Sequence, residues 1–267
     1  MILSAVLWLG ATAPEPVRPI GFDLSEPLPA AVEPALADPP ALNKWTGSVK
    51  ANFAMMDGDT DRTTIGAGAD AEYRREKDRT TLKFLWNYAE DEDSSPNITQ
   101  RQVRGGAKYD YFFNPKTYAF GETSGEYDLS AGIDLRATVG VGIGRQFRED
   151  ERWKLSGELG ASYVDENYVV DADDTEYVAG RAAGKAEYKP NDKATYSNTS
   201  EIYTSLEDAD DSFARLDTKA RFLLTASMFA EIQWLFTWDN TPAEDSVTGQ
   251  SLNRTNDQYL LGVGWSF

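Results

Sequence analysis

The stretch TLKFLWNYA, residues 81–89, places Leu82, Phe84, Trp86 and Tyr88 on one side of an extended chain and Lys83 and Asn87 on the other. Successive strand side chains point to opposite faces, so this two-residue period specifies a strand with one apolar and one polar face. The period keeps returning. Trp45, Val49, Ala51, Phe53 and Met55 oppose Thr46, Ser48, Lys50 and Asn52. Ile65, Ala67, Ala69, Ala71 and Tyr73 oppose Asp70, Glu72 and Arg74, and Val103, Ala107, Tyr109 and Tyr111 oppose Arg104, Lys108 and Asp110. Ile133, Leu135, Ala137, Val139, Val141 and Ile143 oppose Asp134, Arg136 and three glycines. Leu155 and Leu159 stand against Lys154 and Glu158, and Val178 and Ala182 against Arg181, Lys185 and Glu187. Leu216 and Phe222 stand against Arg215, Asp217, Lys219 and Arg221, and Ile232 and Trp234 against Glu231 and Gln233. Two runs are less regular. Tyr118 and Phe120 share a face with Glu122 and Glu126, and ATYSNTSEIYT is mostly polar, with Tyr196 and Ile202 opposite Glu201. With a last run from Gln258, the chain holds about twelve strands.

The connections alternate in length. Short turns fall at 74–79, 113–117, 148–152, 189–193 and 225–227. Longer polar segments fall at 57–61, 90–97, 171–176, 207–212 and 239–246, with a bend from Asp128 to Gly132. Long and short connections in turn are the pattern of antiparallel hairpins in an up-and-down barrel. The runs are about 9–12 residues long, enough for a tilted strand to cross hydrocarbon, whereas ordinary strands average about 5–6. Charges keep to one face, as lipid demands, because a basic side chain on the lipid face near the midplane costs about 2–4 kcal/mol. Aromatic residues recur near run ends at Tyr73, Tyr88, Tyr111, Trp153, Tyr163, Tyr188, Trp238 and Tyr259, where interfacial girdles use them. The expected fold class is therefore all-β, an antiparallel up-and-down transmembrane β-barrel of about twelve strands over residues 44–267. The last run, LLGVGWSF, is expected to pair with the first around Trp45 and close the barrel.

Ahead of the barrel, MILSAVLWLGATA (1–13) reads as an export signal whose true start lies upstream, since it lacks a basic beginning. Residues 14–43 hold eight of the twelve prolines and read as an extended tether. Net charge is −18, which argues against nucleic acid as a partner. The chain has neither Cys nor His, which removes disulfides, thiolate and imidazole metal sites, and the His-dependent nucleophilic triads. No cofactor and no enzymatic activity are expected.

Several stretches carry a resemblance. They are Trp45-Thr46-Gly47, Gly58-Asp59-Thr60-Asp61, YAFGETSGEYDLSAGIDLRATVGVGIGRQF, WKLSGELGASYVDENY, WDNTPAED and a terminal strand ending in Phe. From Asn43 to Phe267 the chain resembles the salt-induced outer-membrane protein family, a domain of unknown function. The most specific part runs from Tyr127 to Gly144. Family members often have GNTD where this chain has Gly58-Asp59-Thr60-Asp61, which adds a carboxylate. The resemblance implies an outer-membrane barrel, a tie to salt or osmotic stress by name only, and no settled activity. Separately, the terminal aromatic Phe267 resembles the signal that outer-membrane assembly machinery reads, and is expected to serve as one.

The expected lumen carries eleven basic residues, Lys50, Lys83, Arg104, Lys108, Arg136, Lys154, Arg181, Lys185, Arg215, Lys219 and Arg221. Eight acidic ones face them: Asp70, Glu72, Asp110, Glu158, Glu187, Glu201, Asp217 and Glu231. One reading is an ion-pair network that plugs a narrow barrel, and the other is a mildly cationic narrow pore. Asp57, Asp59 and Asp61 alternate like the start of a calcium loop, but Arg62 and Gly68 stand where an EF-hand needs Gly and Glu. With Asp171, Asp173 and Asp174, and with Asp208, Asp210 and Asp211, they are weak candidates for divalent cations. The expected function is a structural or narrow-channel barrel. The alternative is a loop-mediated binder of divalent cations, lipopolysaccharide or a surface partner. Lipid, lipopolysaccharide and the assembly machinery are the expected partners, with the barrel a monomer in the cell outer membrane.

Overall fold

The computed structural model describes residues 42–56, 62–91, 98–169, 174–244 and 250–267. The expected export signal, nearly all of the tether, and Asp57, Asp59, Asp61, Asp171 and Asp173 lie outside these residues.

The described chain is a closed, wholly antiparallel barrel in which each strand pairs with its neighbours in sequence and the last closes on the first. The strands are β1 (Trp45–Met56), β2 (Arg62–Arg74), β3 (Asp78–Asp91), β4 (Ile98–Asn114), β5 (Thr117–Asp128) and β6 (Ile133–Glu149). They continue with β7 (Trp153–Tyr168), β8 (Thr175–Asn191), β9 (Ala194–Ser205), β10 (Ser212–Leu223), β11 (Met228–Asp239) and β12 (Thr255–Ser266). The strands expected from the period are all present, and closure leaves no unpaired edge.

The short turns form where Asn, Asp or Thr can satisfy the backbone of the bend. Asn114 Oδ1 accepts from the Lys116 and Thr117 N–H groups, Asn191 Oδ1 from Lys193 and Ala194, and Asp150 Oδ1 from Arg152 and Trp153. At the other end of the barrel a single 3₁₀ turn, Leu129–Ala131, joins β5 to β6. Gly132 ends it at φ 69°, a left-handed conformation that glycine adopts without strain.

The outer face is apolar. Val139, Val141, Ile143, Leu159 and Leu261 are each at least 60% exposed on it. Aromatic pairs ring both ends: Trp45–Tyr73 (5.3 Å) and Trp153–Tyr188 (4.3 Å) at the short-turn end, Trp234–Tyr259 (6.4 Å) towards the other. Ile133 departs from the expected face. A bulge between Ile133 and Leu135 shifts the alternation, so Ile133 turns inward onto Tyr168 and Ala243 while Asp134 is exposed.

The closing seam runs from Ser48–Ser266 to Asn52–Gly262, and Gly47 and Phe267 exchange both backbone hydrogen bonds (3.1 and 3.0 Å). Leu261, Val263, Trp265 and Phe267 point outward. Gly264 faces inward because no larger residue fits: a Cβ there would lie 2.4 Å from the Phe229 ring.

Candidate functional site: the charged barrel interior

The interior is built by strand parity. Every second residue of each strand points inward, and there the polar faces meet. Lys50, Asp70, Glu72, Lys83, Arg104, Lys108, Asp110, Arg136, Lys154, Glu158, Arg181, Lys185, Glu187, Glu201, Arg215, Asp217, Lys219, Arg221 and Glu231 all occupy inward positions.

Five further acids stand among them: Glu122, Glu126 and Asp128 on β5, Glu166 on β7 and Asp239 on β11. Two further bases, Arg74 and Arg79, line the β2–β3 wall. Among the described residues named here, eight acids become thirteen and eleven bases become thirteen, so these inward charges balance. The β5 acids were hidden because Tyr118 and Phe120 share their face. On this strand Tyr118 and Phe120 are inside. Gly144 and Gly142 of β6 make room for them, since a Cβ at either would come within 2.6 Å of the Tyr118 or Phe120 ring.

Two packed groups occupy opposite walls. On β4–β9, Arg181 is 4% exposed and pairs with Glu122 (2.7 Å), Glu158 (3.0 Å) and Glu201 (3.0 Å). Lys108 bridges Asp110 and Glu158, Arg79 holds Asp110 at 2.7 Å, and the Tyr118 hydroxyl donates to Glu158 at 2.7 Å. The Lys108 ammonium also sits 4.7 Å from the Phe120 ring centroid. On β10–β1, Glu231 takes Lys50 and Arg221, Arg221 reaches Ser48 at 3.1 Å, and Asp217 takes Lys219 at 3.0 Å and Gln233 at 2.7 Å. A buried carboxylate is tolerated here because each has a cation or hydrogen-bond donor on it.

Near the long-loop end the two groups are tied together. Glu126 of β5 binds Arg104 beside it and Arg215 of β10, five strands away round the barrel. Arg136 of β6 binds Glu166 and, again five strands away, Asp239 of β11 at 2.6 Å. These pairs cross the lumen. Asn87 of β3 also donates to Gln258 of β12, three strands away, at 3.2 Å.

Part of the β3 and β8 walls is open. Along β3, Lys83 is exposed, Leu85 half-buried, and Asn87 and Ala89 buried. Along β8 running outward, Lys185 is exposed, Ala183 half-buried, and Arg181 and Ala179 buried. Exposed lysines inside a closed barrel mean water-filled space around them, which the crossing pairs interrupt towards the long-loop end.

Of the acidic loop candidates, Asp174 accepts the Tyr168 N–H at 2.7 Å. Asp208 accepts from Asp210 N at 3.0 Å, and Asp211 lies beside them, its carboxyl pushed up by burial and by those two neighbours. Among the described residues no group of three carboxylates is placed to hold a metal ion.

A family profile described as a protein of unknown function, DUF481, matches residues 49–267. No curated protein matches the chain in sequence. Among solved structures the fold is similar to the NanC porin at 10% identity and a TM-score of 0.51, covering 83% of this chain and 100% of that one. An outer-membrane channel from Pseudomonas putida F1 aligns at 12% identity and a TM-score of 0.49, covering 88% and 98%. At such identities the likeness speaks for the porin-type fold alone.

Proposed function

The chain belongs to the DUF481 family of proteins of unknown function, and we propose that it is a narrow outer-membrane channel, constricted by ion pairs that cross its lumen. The observation that carries this reading is the wet interior around Lys83 and Lys185, which the Arg215–Glu126 and Arg136–Asp239 crossings interrupt towards the long-loop end. The apolar outer belt with aromatic rings at both ends supports a place in lipid, and the balanced lumen supports passage of small solutes at low conductance. The tie to salt or osmotic stress rests on family resemblance alone. No described feature favours the loop-binding alternative.

Planar-bilayer recording tests the channel. Wild-type protein is expected to give small unitary steps, and Arg215→Ala, which withdraws one side chain from the crossing, larger ones. Silence of both proteins at every salt concentration would leave only a structural barrel.

A further inference from the structure

Of the thirteen interior cations named above, ten are held by carboxylates, and Arg74, half-buried and without an ion pair, lies over the Phe112 ring, 3.6 Å from its centroid. Lys50, Arg79, Arg104, Lys108, Arg136, Arg181, Arg215, Lys219 and Arg221 are each held by a carboxylate, as is Lys154 by Glu187 at 3.2 Å. Lys83 and Lys185 are different. Neither makes an ion pair with a described residue, and both are exposed inside the barrel, where Arg136 and Arg181 are 5% and 4% exposed. They stand on β3 and β8, five strands apart, and so face each other across the open slot. Lys83 lies within electrostatic reach of Lys185, as do Glu72, Arg79 and Glu187. Glu201, the carboxylate that Lys83 also approaches, is already held by Arg181, and Glu187 already takes Lys154 and Lys189.

Two ammonium groups facing one another across water repel, and neither forms an ion pair with a described carboxylate, although Asp70 stands opposite Lys83 across the β2–β3 pair and Glu72 lies near Lys185. An anion between them turns that repulsion into two attractions, stronger than in bulk water because the walls are of low dielectric. The paired cations offer no such site, since an incoming anion must displace a carboxylate. We propose that Lys83 and Lys185 form an anion-binding site in the open part of the lumen, through which it selects small solutes carrying a phosphate or carboxylate group. This deepens the channel reading and rests on it: the inward charges named above balance, and selectivity comes from the two exposed cations left without an ion pair. Binding by two flexible lysines is weak, as conduction requires.

The test compares wild type, Lys83→Gln, Lys185→Gln and the double variant in bilayers under a KCl gradient. Lys77→Gln, which removes a lysine from the β2–β3 turn, serves as the control. Wild type and the control are expected to show a chloride-favouring reversal potential and current block by inorganic phosphate. The single variants should be intermediate, and the double variant should lose both. Conducting channels whose double variant keeps its anion preference and phosphate block would overturn the site while leaving the channel reading intact. If no protein conducts, the channel reading falls. Calorimetric titration of the folded, detergent-held barrel with phosphate then decides the site: heat that vanishes in the double variant keeps it, and no heat in wild type removes it.

Discussion

Gly144 shows how closely single residues are fitted inside this barrel. A Cβ at that position would stand 2.3 Å from the Tyr118 ring, and that ring hydroxyl donates to Glu158, which also holds Lys108 and Arg181. The glycine therefore supports a charge network that it does not touch. Gly144→Ala is expected to destabilise the folded barrel by about 1–3 kcal/mol, the usual cost of overpacking. Adding Tyr118→Ala should recover part of the loss, because the two positions share one volume. Equilibrium urea unfolding of the four proteins measures this, and strictly additive effects would contradict the contact. At this scale the sequence is only partly legible. Parity tells which side of a strand a charge lies on, as at Lys83 and Arg104. It does not tell that Arg136 meets Asp239, since those residues are 103 apart in the chain and meet only after closure. Arg79 was missed because it sits in what reads as a turn, and Glu126 because aromatic residues share its face.

Among the elements, β12 joins the least extensive pairing. β1 pairs with β2 from Trp45–Tyr73 to Met56–Arg62, but with β12 only from Ser48–Ser266 to Asn52–Gly262. The Gly47–Phe267 hydrogen bonds extend that seam by one residue pair. Removing Phe267 is expected to lower the temperature at which the barrel unfolds in a gel-shift assay and to reduce the yield of inserted protein. Unchanged unfolding and insertion would show that the seam does not limit closure. The strands themselves were the legible part of the fold, because lipid and lumen impose opposite chemistry on alternate residues. The one face misread, at Ile133, lies where a bulge breaks the period, and a bulge has no composition to announce it.

Taken as a whole molecule, the barrel rests on one division: alternate residues of the same strand meet lipid or water. The chain has no cysteine, so any cysteine introduced is the sole reactive thiol. The most direct measurement is therefore labelling of Lys83→Cys and Val141→Cys in reconstituted bilayers with a charged, water-soluble thiol reagent. The account predicts rapid modification at position 83. It predicts none at position 141, which is 65% exposed but faces outward, until detergent or a lipid-soluble reagent is used. Rapid labelling of Val141→Cys from water, with Lys83→Cys inert, would invert the two faces and contradict the account.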